Sequence, residues 1–511
     1  MSSTWSDNGP MLNAYPNSMG RRLSDLISVF GREEFESAFQ SFYILPSIYN
    51  SDLDRGFSVI DYGINKDYAT EEDIHALNDL KIDLKLDFIL NHASVLSPQF
   101  RDLLANGEQS RYADFFINWN KFWDGYGEMT DEGYIKPDDK YIKDMFFRKP
   151  GLPILMVEMP DGKKVPYWNT FYQETYSESA PHKELMDKTG VPYLGQMDLN
   201  IKSKLVWDFY EDTLKRLAEY GAKIVRLDAF AYAPKEVGKK NFLNEPDTWD
   251  VLEKVKSIAI KYGLTLLPEI HATYNEGIYE KVAKKGYMTY DFFLPGLLIY
   301  ALEKHNGKVL SDWANEINDK KIRVVNMLGC HDGIPVLDLK GLLKEDEIAS
   351  LIDTIVKRGG YVKDLHGAKN MYYQVNATYY SALGEDDKKM LLARAIQIFM
   401  PGKPQIWYLD LFAGKNDHEA VRLAGEGGHK EINRTNLSIP QIEEALKEKV
   451  VREQLKLLKF RNTYPAFGWD AVFSATSDGS QLTLTWEKNG HRASLMADLS
   501  DYSYKITSEK I

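Results

Sequence analysis

The chain has 511 residues, 44% of them hydrophobic and 27% charged, a globular balance that excludes a disordered or fibrous protein. Its net charge of −12 argues against a nucleic-acid or anionic-membrane partner. The single cysteine, Cys330, excludes an intrachain disulfide and reads as a small core residue. No basic segment leads into an apolar one at the N-terminus and no run of 18 apolar residues occurs, so neither a signal peptide nor a membrane span is expected and the natural location is the cytoplasm.

Eight strand-like runs follow one another along the chain, over residues 11–15, 41–46, 82–91, 223–229, 264–270, 287–294, 322–329 and 404–409. Helical periodicity fills most of the gaps, as over 206–220 and 249–262. Strands alternating with helices pair in parallel, and eight of them fit an α/β fold, the (β/α)8 TIM barrel. The spacing is uneven. About 130 residues separate the third and fourth runs, far more than one βα unit needs. The expected division is barrel 1–92, an inserted domain rich in Tyr, Trp, Phe and Asp over 93–200, barrel 201–332, a second insert 333–386 after strand 7, barrel 387–463, and a small antiparallel β domain over 464–511. The alternating run Gln481-Leu-Thr-Leu-Thr-Trp486 is the clearest sign of the last.

Three of the strand runs end in a carboxylate: Ile224-Val225-Arg226-Leu227-Asp228, Leu266-Leu267-Pro268-Glu269 and Met327-Leu328-Gly329-Cys330-His331-Asp332. Carboxylates at the C-terminal ends of barrel strands converge on the mouth where barrel enzymes do chemistry. Cleavage of a glycosidic bond with retention needs one carboxyl as nucleophile and another as acid, roughly 5–5.5 Å apart. Arg226, two residues before Asp228 and on the same strand face, is expected to keep Asp228 ionised. Glu269 follows an apolar stretch, a setting expected to raise its pKa and suit it as the acid. Asp332, beside His331, is the candidate for gripping sugar hydroxyls and stabilising developing positive charge. A lone Arg-x-Asp at a strand end is a salt bridge; three such carboxylates in this order describe a site.

Four segments resemble the shared motifs of the α-amylase clan, glycoside hydrolase family 13: Asp87-Phe-Ile-Leu-Asn91-His92, Arg226-Leu-Asp228-Ala229, Glu269-Ile-His271 and His331-Asp332. Asp54-Arg-Gly-Phe57, Gln374-Val-Asn-Ala-Thr-Tyr-Tyr-Ser-Ala-Leu383, Ala413-Gly-Lys-Asn-Asp417 and Glu431-Ile-Asn-Arg434 narrow the resemblance to the sucrose phosphorylase subfamily. The resemblance implies a retaining glucosyl phosphorylase. It would convert sucrose or a close α-glucoside and inorganic phosphate into α-glucose 1-phosphate and fructose through a covalent glucosyl-enzyme. It further implies Asp228 as nucleophile, Glu269 as acid and base, and Asp332 as transition-state stabiliser. Asp54, His92, Arg226, His331 and Arg434 would hold the glucosyl hydroxyls over a Phe57 platform, with Gln196, Tyr232, His271 and Gln374 at the junction with the acceptor. No organic cofactor and no metal are expected, although calcium is the metal to consider beside Asn91 and His92. A homodimer is the assembly the resemblance suggests.

The acceptor side departs from the pattern. Where the subfamily reads Asp-Leu-Tyr-Gln, this chain reads Met371-Tyr372-Tyr373-Gln374, and Met371 accepts no hydroxyl hydrogen bond as Asp does. Lys363, His366 and Lys369 precede it, with Asp364 among them, and Arg148 and Lys149 lie in the first insert. Two readings stay open. In one, Arg148, Lys149, Lys363, His366 and Tyr373 meet an anionic acceptor, making the substrate sucrose 6′-phosphate or a glucosyl glycerate, with glucosyl glycerol also in reach. In the other, the loop charges are solvated, Arg148 serves inorganic phosphate and the substrate is sucrose. A hydrolase or sucrose isomerase of the same clan is the weaker alternative.

Overall fold

The structure, a computed structural model, describes residues 8–145, 147–364, 372–425 and 427–511. Eight parallel strands form its centre: β1 (Met11–Ala14), β2 (Ser41–Ile44), β3 (Asp83–Ile89), β4 (Ala222–Asp228), β5 (Thr265–Pro268), β6 (Thr289–Asp291), β7 (Val324–Met327) and β8 (Lys403–Trp407). Their hydrogen-bonded order is β5-β4-β3-β2-β1-β8-β7-β6, and β5 and β6 lie side by side at the seam, so the sheet is nearly closed as a barrel. All eight expected runs are strands, and every residue of β1, β2, β7 and β8 is buried, as a sheet covered on both faces requires. The helices Lys204–Glu219 and Asp247–Lys261 cover the outside, presenting Val206, Tyr210, Leu214 and Leu217 from the first and Leu252, Val255 and Ala259 from the second.

Some expected strands are cut short by what the loops must do. Over 287–294 only Thr289–Asp291 is strand, because the Asp291 carboxylate accepts from the Phe293 and Leu294 backbone N–H groups and starts the helix Leu294–Lys304. Over 322–329 the strand stops at Met327, and Asp332 stands five residues beyond it. Gly329 sits where an added Cβ would come within 2.2 Å of the Asp410 carboxylate, so only glycine lets the chain pass there. That turn is pinned by three side-chain donors: Asn433 to the Cys330 carbonyl, Arg434 to the His331 carbonyl and Asn376 to the Asp332 carbonyl.

Between β3 and β4 the strand Tyr193–Asp198 pairs with His92–Ser94 and with Gln173–Thr175. A core of Ile117, Trp119, Trp123, Ile135 and Trp168 fills the space behind this sheet. After β7, the segments Ile334–Pro335, Tyr361–Asp364 and Tyr372–Asn376 form an antiparallel sheet beside the helix Glu345–Lys357. The chain ends in a four-stranded meander, β9 (Val472–Asp478), β10 (Gln481–Lys488), β11 (His491–Asp498) and β12 (Ser503–Lys510), following the helix Lys449–Thr463. No helix among the described residues is long and apolar enough to cross a membrane. Cys330 is buried, which pushes its thiol up to about 12 and leaves it a packing residue.

Candidate active site

A cavity of about 830 Å³ opens at the C-terminal end of the barrel. Thirteen of the residues singled out in the sequence line it: Asp54, Phe57, His92, Arg148, Lys149, Gln196, Asp228, Tyr232, Glu269, His271, His331, Asp332 and Gln374. Arg226 and Arg434 lie just behind the wall, buried, with their guanidinium groups on its carboxylates. Lys363 and Tyr373 fall on the strands Tyr361–Asp364 and Tyr372–Asn376. His366, Lys369 and Met371 lie outside the described residues.

Arg226 organises one side. Its Nη1 stands 2.7 Å from Asp87 Oδ1 and 2.8 Å from Asp228 Oδ1, and its Nη2 is 3.4 Å from Glu269 Oε1. Arg226 favours the ionised form of Asp228, as its place on the strand predicts, but burial and two neighbouring carboxylates act against it. Burial, opposed by Arg226 but reinforced by the negative charges of Glu269 and Asp87, pushes the Asp228 carboxyl up to about 8. The apolar setting expected for Glu269 is corrected. Besides Arg226, its carboxylate meets His271 Nε2 at 3.4 Å and the Ala229 backbone N–H at 3.4 Å. The strand register explains this: Leu266 and Leu267 are buried in the barrel wall while Glu269 emerges past its end. Ala229 takes a left-handed φ of 52°, turning the chain sharply after Asp228.

Asp332 sits in the opposite electrostatic state. Burial works against its ionisation, but His331 Nε2 at 3.1 Å, Lys430 Nζ at 2.8 Å and Arg434 Nη2 at 3.8 Å hold it well below the usual carboxylate range. Asp54 shares these cations, with Arg434 Nη1 at 3.2 Å and Lys430 Nζ at 3.7 Å, and its carboxyl is also lowered against burial. Asp54 and Arg55 both adopt left-handed φ near 48°, and the turn is fixed by Arg55, which bonds Glu431 and donates to the Arg434 carbonyl at 2.9 Å. Gly56, next in the turn, closes on Ser47, where a Cβ would meet the backbone N at 2.0 Å. Phe57 stacks on His331 with centroids 5.0 Å apart and planes 10° apart, and its carbonyl accepts from Gln196 at 3.2 Å and meets His92 Nε2 at 2.9 Å.

Sequence reasoning missed three polar side chains here. Lys430 lines the cavity between Asp54 and Asp332; its place four residues before Arg434 was the available signal. Asp338 faces His271, both oxygens 3.3 Å from Nδ1, and with Glu269 it raises the histidine pKa against burial. Lys235 lies beside Asn91 and His92. Its ammonium reaches Asp198 at 2.7 Å, Asn91 Oδ1 at 3.0 Å and the Tyr232 carbonyl at 2.6 Å, so an internal cation joins these groups. Among the described residues, no group of three or more His, Cys, Asp or Glu is arranged to hold a metal ion.

The outer wall is aromatic and cationic. Phe171 meets Tyr232 edge-on at 5.0 Å and Tyr232 meets Phe242 at 4.7 Å. Arg148 hydrogen-bonds Tyr232 and lies over the Phe171 ring at 5.6 Å. Lys149 bonds Asn169 Oδ1 and, at 2.8 Å, Gln173 Oε1. Both acceptors are neutral, and burial, only partly opposed by Asp198, lowers the Lys149 ammonium to about 7. Lys340 and Glu276 line the facing wall.

A barrel carrying three carboxylates at its mouth, with a domain inserted after β3, is the architecture of the α-amylase clan. An α-amylase from H. orenii has this fold, with a TM-score of 0.63 at 17% identity over 97% of this chain and 90% of its own. No family model matches the chain. A sucrose 6(F)-phosphate phosphorylase of Ilumatobacter coccineus is 51% identical over 98% of this chain and 96% of its own. The solved sucrose 6F-phosphate phosphorylase of Thermoanaerobacter thermosaccharolyticum superposes with a TM-score of 0.87, at 35% identity over 99% of this chain and 96% of its own. A sucrose phosphorylase of Streptococcus mutans is 33% identical over 98% of this chain and 97% of its own. The chain therefore belongs to the sucrose phosphorylase family, a glycosyl-transferring branch of glycoside hydrolase family 13.

Proposed function

We propose that this enzyme cleaves sucrose 6′-phosphate with inorganic phosphate, giving α-glucose 1-phosphate and fructose 6-phosphate with retention at the anomeric carbon. The observation that carries the substrate choice is Lys149. It lines the cavity next to Arg148, and its bonds among the described residues go to the neutral oxygens of Asn169 and Gln173. Cations so placed suit a phosphate ester. The 51% identity to a protein named for the phosphorylated substrate supports the same choice over sucrose, glucosyl glycerate and glucosyl glycerol.

In this reading Asp228 attacks the anomeric carbon while Glu269 gives its proton to the leaving fructosyl oxygen, breaking the glycosidic bond and forming a β-glucosyl ester. Phosphate then attacks the same carbon, Glu269 takes a phosphate proton, and Asp228 leaves as a carboxylate. Asp332, kept ionised by His331, Lys430 and Arg434, stabilises the positive charge on the ring in both steps. Asp54, His92, Arg226, His331 and Arg434 hold the glucosyl unit against Phe57; Gln196, Tyr232, His271 and Gln374 meet the acceptor. Positioning matters because phosphate must reach the ester before water does. Residues of the two inserts, among them Arg148, Lys149, Gln196 and Gln374, line the cleft.

The test compares release of glucose 1-phosphate from sucrose 6′-phosphate and from sucrose, with phosphate present. A kcat/KM for the phosphorylated sugar at least about tenfold higher is expected, the scale of one charge-assisted contact. Equal values, or a preference for sucrose, would return Arg148 and Lys149 to binding inorganic phosphate alone.

A further inference from the structure

Inside the barrel, below the catalytic carboxylates, lies a lysine for which the reading above has no use. Lys85 is on β3, fully buried, two residues before Asp87 and on the same face. Its ammonium bonds the Tyr290 hydroxyl on β6 and Gln405 Oε1 on β8, the latter at 2.7 Å, and stands 3.9 Å from the centre of the Tyr43 ring on β2. Four strands thus meet at one side chain. The charged and titratable groups around it are Tyr43 from β2, Asp87 from β3, Arg226 from β4, Tyr290 from β6, Cys330 beyond β7 and Lys403 from β8.

Two chains of contact rise from Lys85. On one side the Tyr43 hydroxyl donates to Asp87 Oδ2 at 2.7 Å, Asp87 Oδ1 holds Arg226 at 2.7 Å, and Arg226 holds Asp228 at 2.8 Å. On the other the Tyr290 ring stacks on Phe292 at 5.0 Å and 16°, Phe292 stacks on His271 at 3.8 Å and 17°, and His271 Nε2 meets Glu269 at 3.4 Å. Each chain ends at one member of the carboxyl pair. We infer that Lys85 is a positioning residue for both carboxyls, fixing the Arg226 and His271 heads against each other from beneath. The inference rests on the roles given above to Asp228 and Glu269. A buried lysine head is a costly way merely to fill a barrel, since a polar group taken out of water must be matched by hydrogen bonds that an apolar residue would not need. Burial and the nearby Arg226 push the Lys85 ammonium well below the usual lysine range, which fits an amine committed to these contacts.

The experiment compares the parent with Lys85→Met and Tyr290→Phe, measuring kcat, KM, the pH profile of kcat/KM and the melting temperature. Lys85→Met should lower kcat about tenfold or more with KM within about twofold. A limb of its pH profile should move by about half a unit or more. Tyr290→Phe, which keeps the stack and deletes the hydroxyl, should move both quantities in the same direction by about threefold in kcat. A residue that only packs would change the melting temperature and leave kcat and the pH profile in place; that result overturns the inference. If Lys85→Met does not fold, an unchanged kcat and pH profile in Tyr290→Phe overturns it instead. A parent without phosphorolysis would refute the proposed function, whereas an active parent with insensitive variants would refute the role of Lys85 alone.

Discussion

In the half of the cleft proposed to hold the glucosyl unit, cations face carboxylates: Arg226 holds Asp87, Asp228 and Glu269, while Arg434 and Lys430 divide themselves between Asp54 and Asp332. On the wall proposed to meet the acceptor, Lys149 bonds two side-chain amide oxygens and Arg148 a phenol. The first arrangement sets three cations against five carboxylates, an excess of negative charge that suits a sugar recognised through its hydroxyls and a positive charge that exists only in passing. In the second, Lys149 rests on uncharged oxygens, which fits the proposed contact with an anionic acceptor. The two halves therefore respond differently to substitution. Loss of a cation in the glucosyl half strands a carboxylate, whereas loss of Lys149 strands only amides that water can satisfy.

The sharpest way to break the comparison is at the chemistry itself. Asp228→Asn should reduce kcat by about four orders of magnitude on sucrose and sucrose 6′-phosphate alike, because the glucosyl half treats both donors identically. Steady-state release of glucose 1-phosphate measures it, and a loss confined to one donor would mean that the halves are not separable. Lys149→Met tests the other half. It should lower kcat/KM for sucrose 6′-phosphate by about 10–100-fold and change that for sucrose by less than about threefold. The same contact has a pH signature. Because the Lys149 ammonium is lowered to about 7, its charge is lost as pH rises through neutrality, and KM for the phosphorylated donor should climb from pH 6 to 8 in the parent but not in Lys149→Met. Lys430→Met should have a smaller effect again. It removes the nearest cation from Asp332, and about a tenfold fall in kcat is expected for both donors.

The barrel was legible because β-strands buried on both faces advertise themselves as apolar runs, and the three carboxylates were legible because each closes such a run. The supporting cations were not. Lys430 sits in the short 3-10 helix Gly428–Asn433 and Lys235 in a loop, places where a lysine is ordinarily solvated, and the three-dimensional convergence of Asp332 and Asp54, or of Asn91 and Asp198, is what gives them partners. Lys85 is a different failure. In the run Leu84-Lys85-Leu86-Asp87 it alternates with leucines, a pattern that places it on the face of Asp87, but nothing local reveals that this face is the barrel interior. The surroundings of Asp228 and Glu269 were only partly legible because the neighbours in sequence are not the neighbours in space: Asp87, His271 and the Ala229 N–H reach these carboxyls from other segments.

The burial of Asp228 yields the smallest predicted effect, one of stability. The Asp228 carboxyl is raised to about 8 in the folded protein, against an ordinary carboxylate value of about 4 in the unfolded chain. Below the unfolded value both states are protonated and the group is neutral to folding. As pH rises towards the folded value, the unfolded state sheds its proton first, so stability is progressively lost up to about pH 8. Asp332 and Asp54 act with the opposite sign: their lowered carboxyls stabilise the fold above the unfolded value, and this is lost on acidification. Asp228→Asn removes only the first contribution. Its melting temperature should exceed that of the parent by about 3 °C or more at pH 8 and converge with it near pH 4, in the absence of ligand. An equal melting temperature at pH 8 would mean that Arg226 keeps Asp228 ionised in the free enzyme. The strain between the two carboxyls would then appear only when a glucosyl ring lies between them.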